Sequence, residues 1–85
     1  MTNEEIKALV TQSLSLEEVH VKSDGSHYLI IAVSDIFAEM SRVKRQQAIY
    51  SPLSEKVADG TLHAITIKTF TVNDWQRERQ FHEPL

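Results

Sequence analysis

Hydrophobic residues change their period along the chain, and the changes mark out successive elements. Ile6, Leu9, Val10 and Leu14 fall on one helical face, with Ser13 beside them. They predict a first helix over roughly Glu4 to Ser13. Thr2 and Glu5 stand at capping-box spacing ahead of it. From Glu17 the period drops to two. Glu17-Glu18-Val19-His20-Val21-Lys22 alternates as a half-solvated strand does. Ser23-Asp24-Gly25-Ser26 is a turn by composition. His27-Tyr28-Leu29-Ile30-Ile31-Ala32-Val33 follows as a more apolar, central strand, and the two strands read as a hairpin.

Ser34 to Met40 reads as one short helical turn that drops Phe37 and Met40 into the core. Ser41 caps a longer helix, with Val43, Tyr50, Leu53 and Val57 as its inward face. Pro52 removes a backbone donor inside that helix and predicts a kink rather than two separate helices. Asp59-Gly60 is a turn signal, and a strand opened by His63 runs on to Phe70. His63, Ile65 and Ile67 share one parity; Ala64, Thr66 and Lys68 share the other. His63 thus follows the parity of the buried face but sits at the strand's mouth. Thr71 caps a last helix from Val72 to about Gln80, where Trp75 should pack against the sheet or a neighbouring helix. The order α, β, β, α, β, α predicts an α+β two-layer sandwich, a three-stranded sheet with helices packed on one face. A single domain over residues 1–80 and a flexible tail over 81–85 are expected.

Composition narrows the function. Eighty-five residues make one domain with a modest core. A net charge of −3 gives no whole-molecule attraction to nucleic acid. The absence of cysteine excludes disulfides, thiol catalysis and a self-sufficient thiolate metal site. No basic region followed by an apolar run opens the chain, and no apolar stretch approaches the ~20 residues a bilayer requires. A soluble cytoplasmic protein without a membrane partner is expected. No phosphate loop, zinc-protease helix or nucleophile elbow appears, so an enzyme is not expected.

Two groups of residues carry candidate chemistry. Arg42-Val43-Lys44-Arg45 begins a helix, where the dipole disfavours cations. The run reads either as a solvated face or as a phosphate or acidic-partner contact. His63 and His27 each open a strand just past a turn. Each reads as a half-buried histidine with its ring hydrogen-bonded, or as one of a pair of metal ligands. Two imidazoles alone leave a zinc or iron site incomplete, so a partner would supply the rest. His20, mid-strand among charged neighbours, reads as a surface residue.

Four short motifs stand in order along the chain: Asp24-Gly25-Ser26-His27-Tyr28; Met40 to Gln47 with Tyr50-Ser51-Pro52-Leu53; Leu62 to Lys68; and Thr71-Val72-Asn73-Asp74-Trp75. With them the chain resembles the BolA family in its short bacterial form. The resemblance implies an αββαβα fold like a class II KH domain. It implies an adaptor that pairs with a monothiol glutaredoxin and shares a [2Fe-2S] cluster with it and glutathione, in cluster trafficking or iron and stress regulation. The family's characteristic histidine falls on His63, and His27 is the candidate for the second ligand. A nucleic-acid-binding transcriptional regulator using Arg42, Lys44 and Arg45 is the alternative, although no Gly-x-x-Gly loop is present. DNA and a weak homodimer are the other partners expected.

Overall fold

The first helix, α1 (Asn3–Ser13), starts where the capping pair predicts. Thr2 Oγ1 accepts from the Glu5 amide at 3.1 Å, and Glu5 Oε1 accepts from the Thr2 amide at 2.9 Å. Bonding to the Thr2 backbone, then to its side chain, holds the Glu5 carboxyl below the ordinary carboxylate range. In this computed structural model, which describes residues 1–82, β1 (Glu18–Asp24) and β2 (His27–Val33) follow as an antiparallel hairpin. Gly25 takes φ 64° in its two-residue loop, a conformation that glycine adopts without Cβ strain. A 3-10 turn over Asp35–Glu39 then leads into α2 (Arg42–Tyr50), capped by Ser41.

Pro52 divides the expected single kinked helix into two α-helical segments. The chain stays right-handed helical through it, but tightens into a 3-10 turn at Ser51–Leu53 before resuming as α3 (Ser54–Ala58). β3 (Ala64–Phe70) pairs parallel to β2, giving the order β1-β2-β3 with β2 in the middle. Thr71 caps α4 (Val72–Glu78), and a 3-10 turn over Arg79–Phe81 ends the described elements. The α+β order is the one the hydrophobic pattern implies.

The core divides by strand parity. Val19, Ile30 and Ala32 face α1 and the α2–α3 segment, meeting Ile6, Val10, Phe37, Ile49, Leu53 and Leu62 in one buried cluster. Ile31 and Val33 point the other way and meet Trp75, with Leu29, Phe70 and Val72 packed around them. β2 is therefore apolar on both parities because both its faces are covered, which is the signature of a sandwiched strand. The expectation that every helix packs on one face fails for α4, which lies on the opposite side. Its short length covers only the half of that face nearest Ile31, Val33 and Phe70.

Three further readings are corrected. Val43 and Tyr50 are exposed, at 64% and 40%. The inward stripe of α2 runs instead through Ile49 and on to Leu53, both fully buried, with Gln46 half-buried one turn earlier. His20 is half-buried rather than a surface residue, because its ring lies 5.5 Å from Trp75 and its Nε2 is 3.2 Å from Glu18 Oε1. The tail expected after residue 80 begins in structured chain: His82 stacks on Trp75 at 5.7 Å and 20°. Residues 83–85 lie outside the described residues.

The two helix faces make opposite stability predictions. Ile49→Ala should cost about 2–5 kcal/mol, the usual range for emptying a buried aliphatic site. Val43→Ala should stay within about 0.5 kcal/mol, as exposed substitutions do. Urea unfolding of the two variants checks the ranking; a Val43 effect equal to that of Ile49 would return the helix to its sequence-derived orientation.

Candidate functional site

His63 stands between two anchors. Asp59 Oδ1 accepts from the Thr61 amide at 2.9 Å, and Gly60 closes α3 at φ 84°. The Leu62 amide then donates to the Lys56 carbonyl at 3.0 Å, while the Leu62 side chain is buried in the core. Ala64 enters the ladder opposite His27. The residue between these two fixed neighbours is His63, and it is exposed. The expectation that His63 is the first residue of the strand is off by one. β2 begins at His27, so β3 has no partner for a residue preceding Ala64, and Leu62 takes the core position instead.

His27 opens β2 at the same end of the sheet, on the strand next to β3. The parallel register thus brings both candidate ligands to one end of the sheet, His27 on β2 and His63 in the loop just ahead of β3. His27 is also exposed, and its Nε2 lies 2.8 Å from Thr66 Oγ1. Thr66 sits two residues along β3, on the face His27 shares. That contact orients the ring and leaves Nδ1 as the nitrogen available to an external ligand. Among the described residues no three His, Cys, Asp or Glu side chains gather into a metal-binding group. Two imidazoles alone leave the shell of a four-coordinate metal incomplete.

The basic run divides. Arg42 and Arg45 line a groove of about 500 Å³ beside β3, whereas Lys44 is exposed outside it. Arg45 is half-buried, its Nε donating to the Met40 carbonyl at 3.2 Å. Lys68 and Gln46 join the groove, and neither stands out in the sequence as a site residue. Gln46 stands three residues before Ile49 on the stripe that continues to Leu53, which is the signal that could have found it; Lys68 needed the tertiary placement of α2 against β3.

A mixed three-stranded sheet with helices on both faces and two exposed histidines at one end defines an α+β domain. The family model for BolA-like proteins matches residues 3–74, and the chain belongs to that family. It is 49% identical over 82 residues to the acid stress protein IbaG of Escherichia coli (strain K12), spanning 96% of this chain and 98% of that protein. An uncharacterised protein of Haemophilus influenzae is 40% identical, with 98% of each chain covered. Among solved structures, mouse BolA1 superimposes with a TM-score of 0.76 at 30% identity, covering 92% of this chain and 71% of that one. The BolA domain of SufE1 from Arabidopsis thaliana matches with a TM-score of 0.74 at 27% identity, covering 85% and 93%. No helix among the described residues is long and apolar enough to cross a membrane.

The turn before His63 has its own pH dependence. Hydrogen bonds from Thr61, side chain first and backbone second, lower the Asp59 pKa. A carboxylate whose folded value is depressed contributes stability that is present above the unfolded value, near 4, and is lost as pH falls through the folded value. The turn should therefore hold constant from pH 7 down to about 5 and loosen only in stronger acid. Hydrogen exchange at the Thr61 amide, corrected for its intrinsic rate, reads this directly. Asp59→Ala should abolish the acid step and raise exchange at neutral pH. Changing protection between pH 5 and 7 in the parent chain would show that the carboxylate does not hold the turn.

Proposed function

We propose that this BolA-like protein is an adaptor that pairs with a monothiol glutaredoxin and takes a share in a [2Fe-2S] cluster. His63 serves as one ligand and His27 as the second. The observation that carries the reading is the pairing of His27 with Ala64. It sets exposed His27, on β2, and exposed His63, one residue ahead of β3, at one sheet end in a chain with no cysteine. Thiolates from the glutaredoxin and from glutathione would complete the shell around the shared cluster. The protein's own contribution is two neutral imidazoles on a backbone held by Leu62, Ala64 and the Thr66 contact.

Imidazole in place of thiolate makes a cluster less negative and raises its potential, as in Rieske centres. Only the neutral ring coordinates, so ligation is proton-linked. Such a shared site suits cluster transfer or sensing more than permanent storage. The relation to a protein named for acid stress supports a role in stress or iron regulation, because a histidine-held cluster is released by acid.

The test is co-purification with a monothiol glutaredoxin after anaerobic reconstitution with iron, sulfide and glutathione, followed by visible circular dichroism. His63→Ala should keep the fold, since the ring is exposed and leaves no cavity. It should abolish or strongly alter the spectrum of the shared cluster, because alanine offers no donor atom. His27→Ala should give a smaller change. His20→Ala and His82→Ala should leave the spectrum as it was. The shared spectrum should weaken as pH falls through the range where free imidazole takes up a proton, about 6–7. A native-like spectrum from the His63→Ala complex would defeat the ligand assignment.

A further inference from the structure

β3 is an edge strand, with β2 on one side and the Arg42–Arg45 groove on the other. Successive residues of a strand send their backbone groups to opposite sides. Two bonds set the parity. The Phe70 carbonyl accepts from the Ser34 amide at 2.9 Å, on the β2 side. The Ile67 carbonyl accepts from Gln46 Nε2 at 2.9 Å, on the groove side. The backbone groups of Ile65, Ile67 and Thr69 therefore face the open edge. Gln46 covers one carbonyl of that row.

The groove beside this edge is cationic. Arg42 and Arg45 reach it from α2, and Lys68 from β3, with no acidic residue in its lining. Three cations around one groove are conspicuous in a chain of net charge −3. Helix stability does not account for them, since the first turn of α2 carries no acid and its dipole opposes the arginines. A single lysine would suffice to discourage strand pairing at an edge. The cations also approach from two sides: Lys68 has the parity of the α4 face, whereas the arginines come from the helix on the opposite face.

We propose that this groove is a docking site for an extended acidic segment of a partner protein, which adds to β3 as a fourth strand. Its main chain would pair with the outward groups of Ile65, Ile67 and Thr69, replacing the Gln46 bond. Two consecutive acidic residues would point to opposite faces of the enlarged sheet, one toward Arg42 and Arg45 and the next toward Lys68. A polynucleotide fits less well. The chain's net charge is −3, and the one aromatic ring lining the groove, Phe70, is engaged by Trp75 at 5.3 Å. Lys68 lies about 17 Å from His63 along the strand, at about 3.3 Å per residue. The site uses neither histidine and is testable in the metal-free chain.

The probe is a labelled peptide with two central glutamates flanked by valine and threonine, titrated into the full-length chain by fluorescence anisotropy and by amide NMR. Binding should shift and protect the amides of Ile65, Ile67 and Thr69. The double variant Arg42→Glu with Lys68→Glu, both exposed positions, should weaken it by about tenfold or more while leaving the remaining spectrum native. A peptide methylated on the alternate backbone nitrogens that would face β3 should lose binding, because it cannot donate to the edge. Equal affinity of the methylated peptide would overturn strand addition. Tighter binding of a single-stranded oligonucleotide of equal charge, at the same residues, would replace the acidic-segment assignment with nucleic acid. No shift at Ile65, Ile67 and Thr69 at millimolar peptide would dismiss the site.

Discussion

Parallel pairing of β2 with β3 holds one register from His27 opposite Ala64 to Val33 opposite Phe70. Both ends of the molecule depend on it. At one end it aligns the two exposed histidines. At the other it brings Phe70 beside Val33, lets Ser34 bond the Phe70 carbonyl, and launches α4 across the second face of the sheet. A slip by one residue would turn Ile65 and Ile67 out of the larger core and set Thr66 against it. The alternation of Ile65 and Ile67 with Thr66 and Lys68 opposes such a slip, whereas β2, apolar on both parities, does not by itself select the register.

The helical crossover explains how a short chain meets that constraint. Ile49, Leu53 and Leu62 come from three successive segments and reach one cluster, because Pro52 tightens the chain between α2 and α3 instead of ending it. Gln46, one turn before Ile49, is then carried to the edge of β3, where its amide finds the Ile67 carbonyl. Packing of the helix thus also shapes the groove. Arg42 and Arg45 flank Gln46 on the same turns, so their placement follows from the burial of Ile49.

Local signals in the sequence determine local structure here. Thr2, Ser41 and Thr71 all cap their helices with side-chain hydrogen bonds, and Gly25-Ser26 makes the hairpin turn. Each depends on neighbours within a few residues. Features decided by distant partners were harder. Alternation placed His63 inside β3, but the strand begins where β2 offers a partner. Of the expected inward face Val43, Tyr50, Leu53 and Val57, the last two meet the core, but on α2 itself the sheet selects Ile49. Apolar residues on both parities of β2 were the available sign that a helix covers the second face; its meaning depended on where α4 lands. The histidine pair was legible as two strand openings, but only the parallel register makes them neighbours.

The two strand pairings also differ in how far the chain must travel to make them. Gly25 and Ser26 suffice to join β1 to β2, whereas residues 34–63 separate β2 from β3. On loop-closure entropy alone the second pairing costs about 2 kcal/mol more than the first. The hairpin can therefore form as a local event, while β3 must wait for the crossover helices to bring it home. His27 belongs to the early-formed part and His63 to the late one. The edge that carries both is thus assembled at the end of folding, and an opening that releases β3 separates the two imidazoles while the hairpin remains intact.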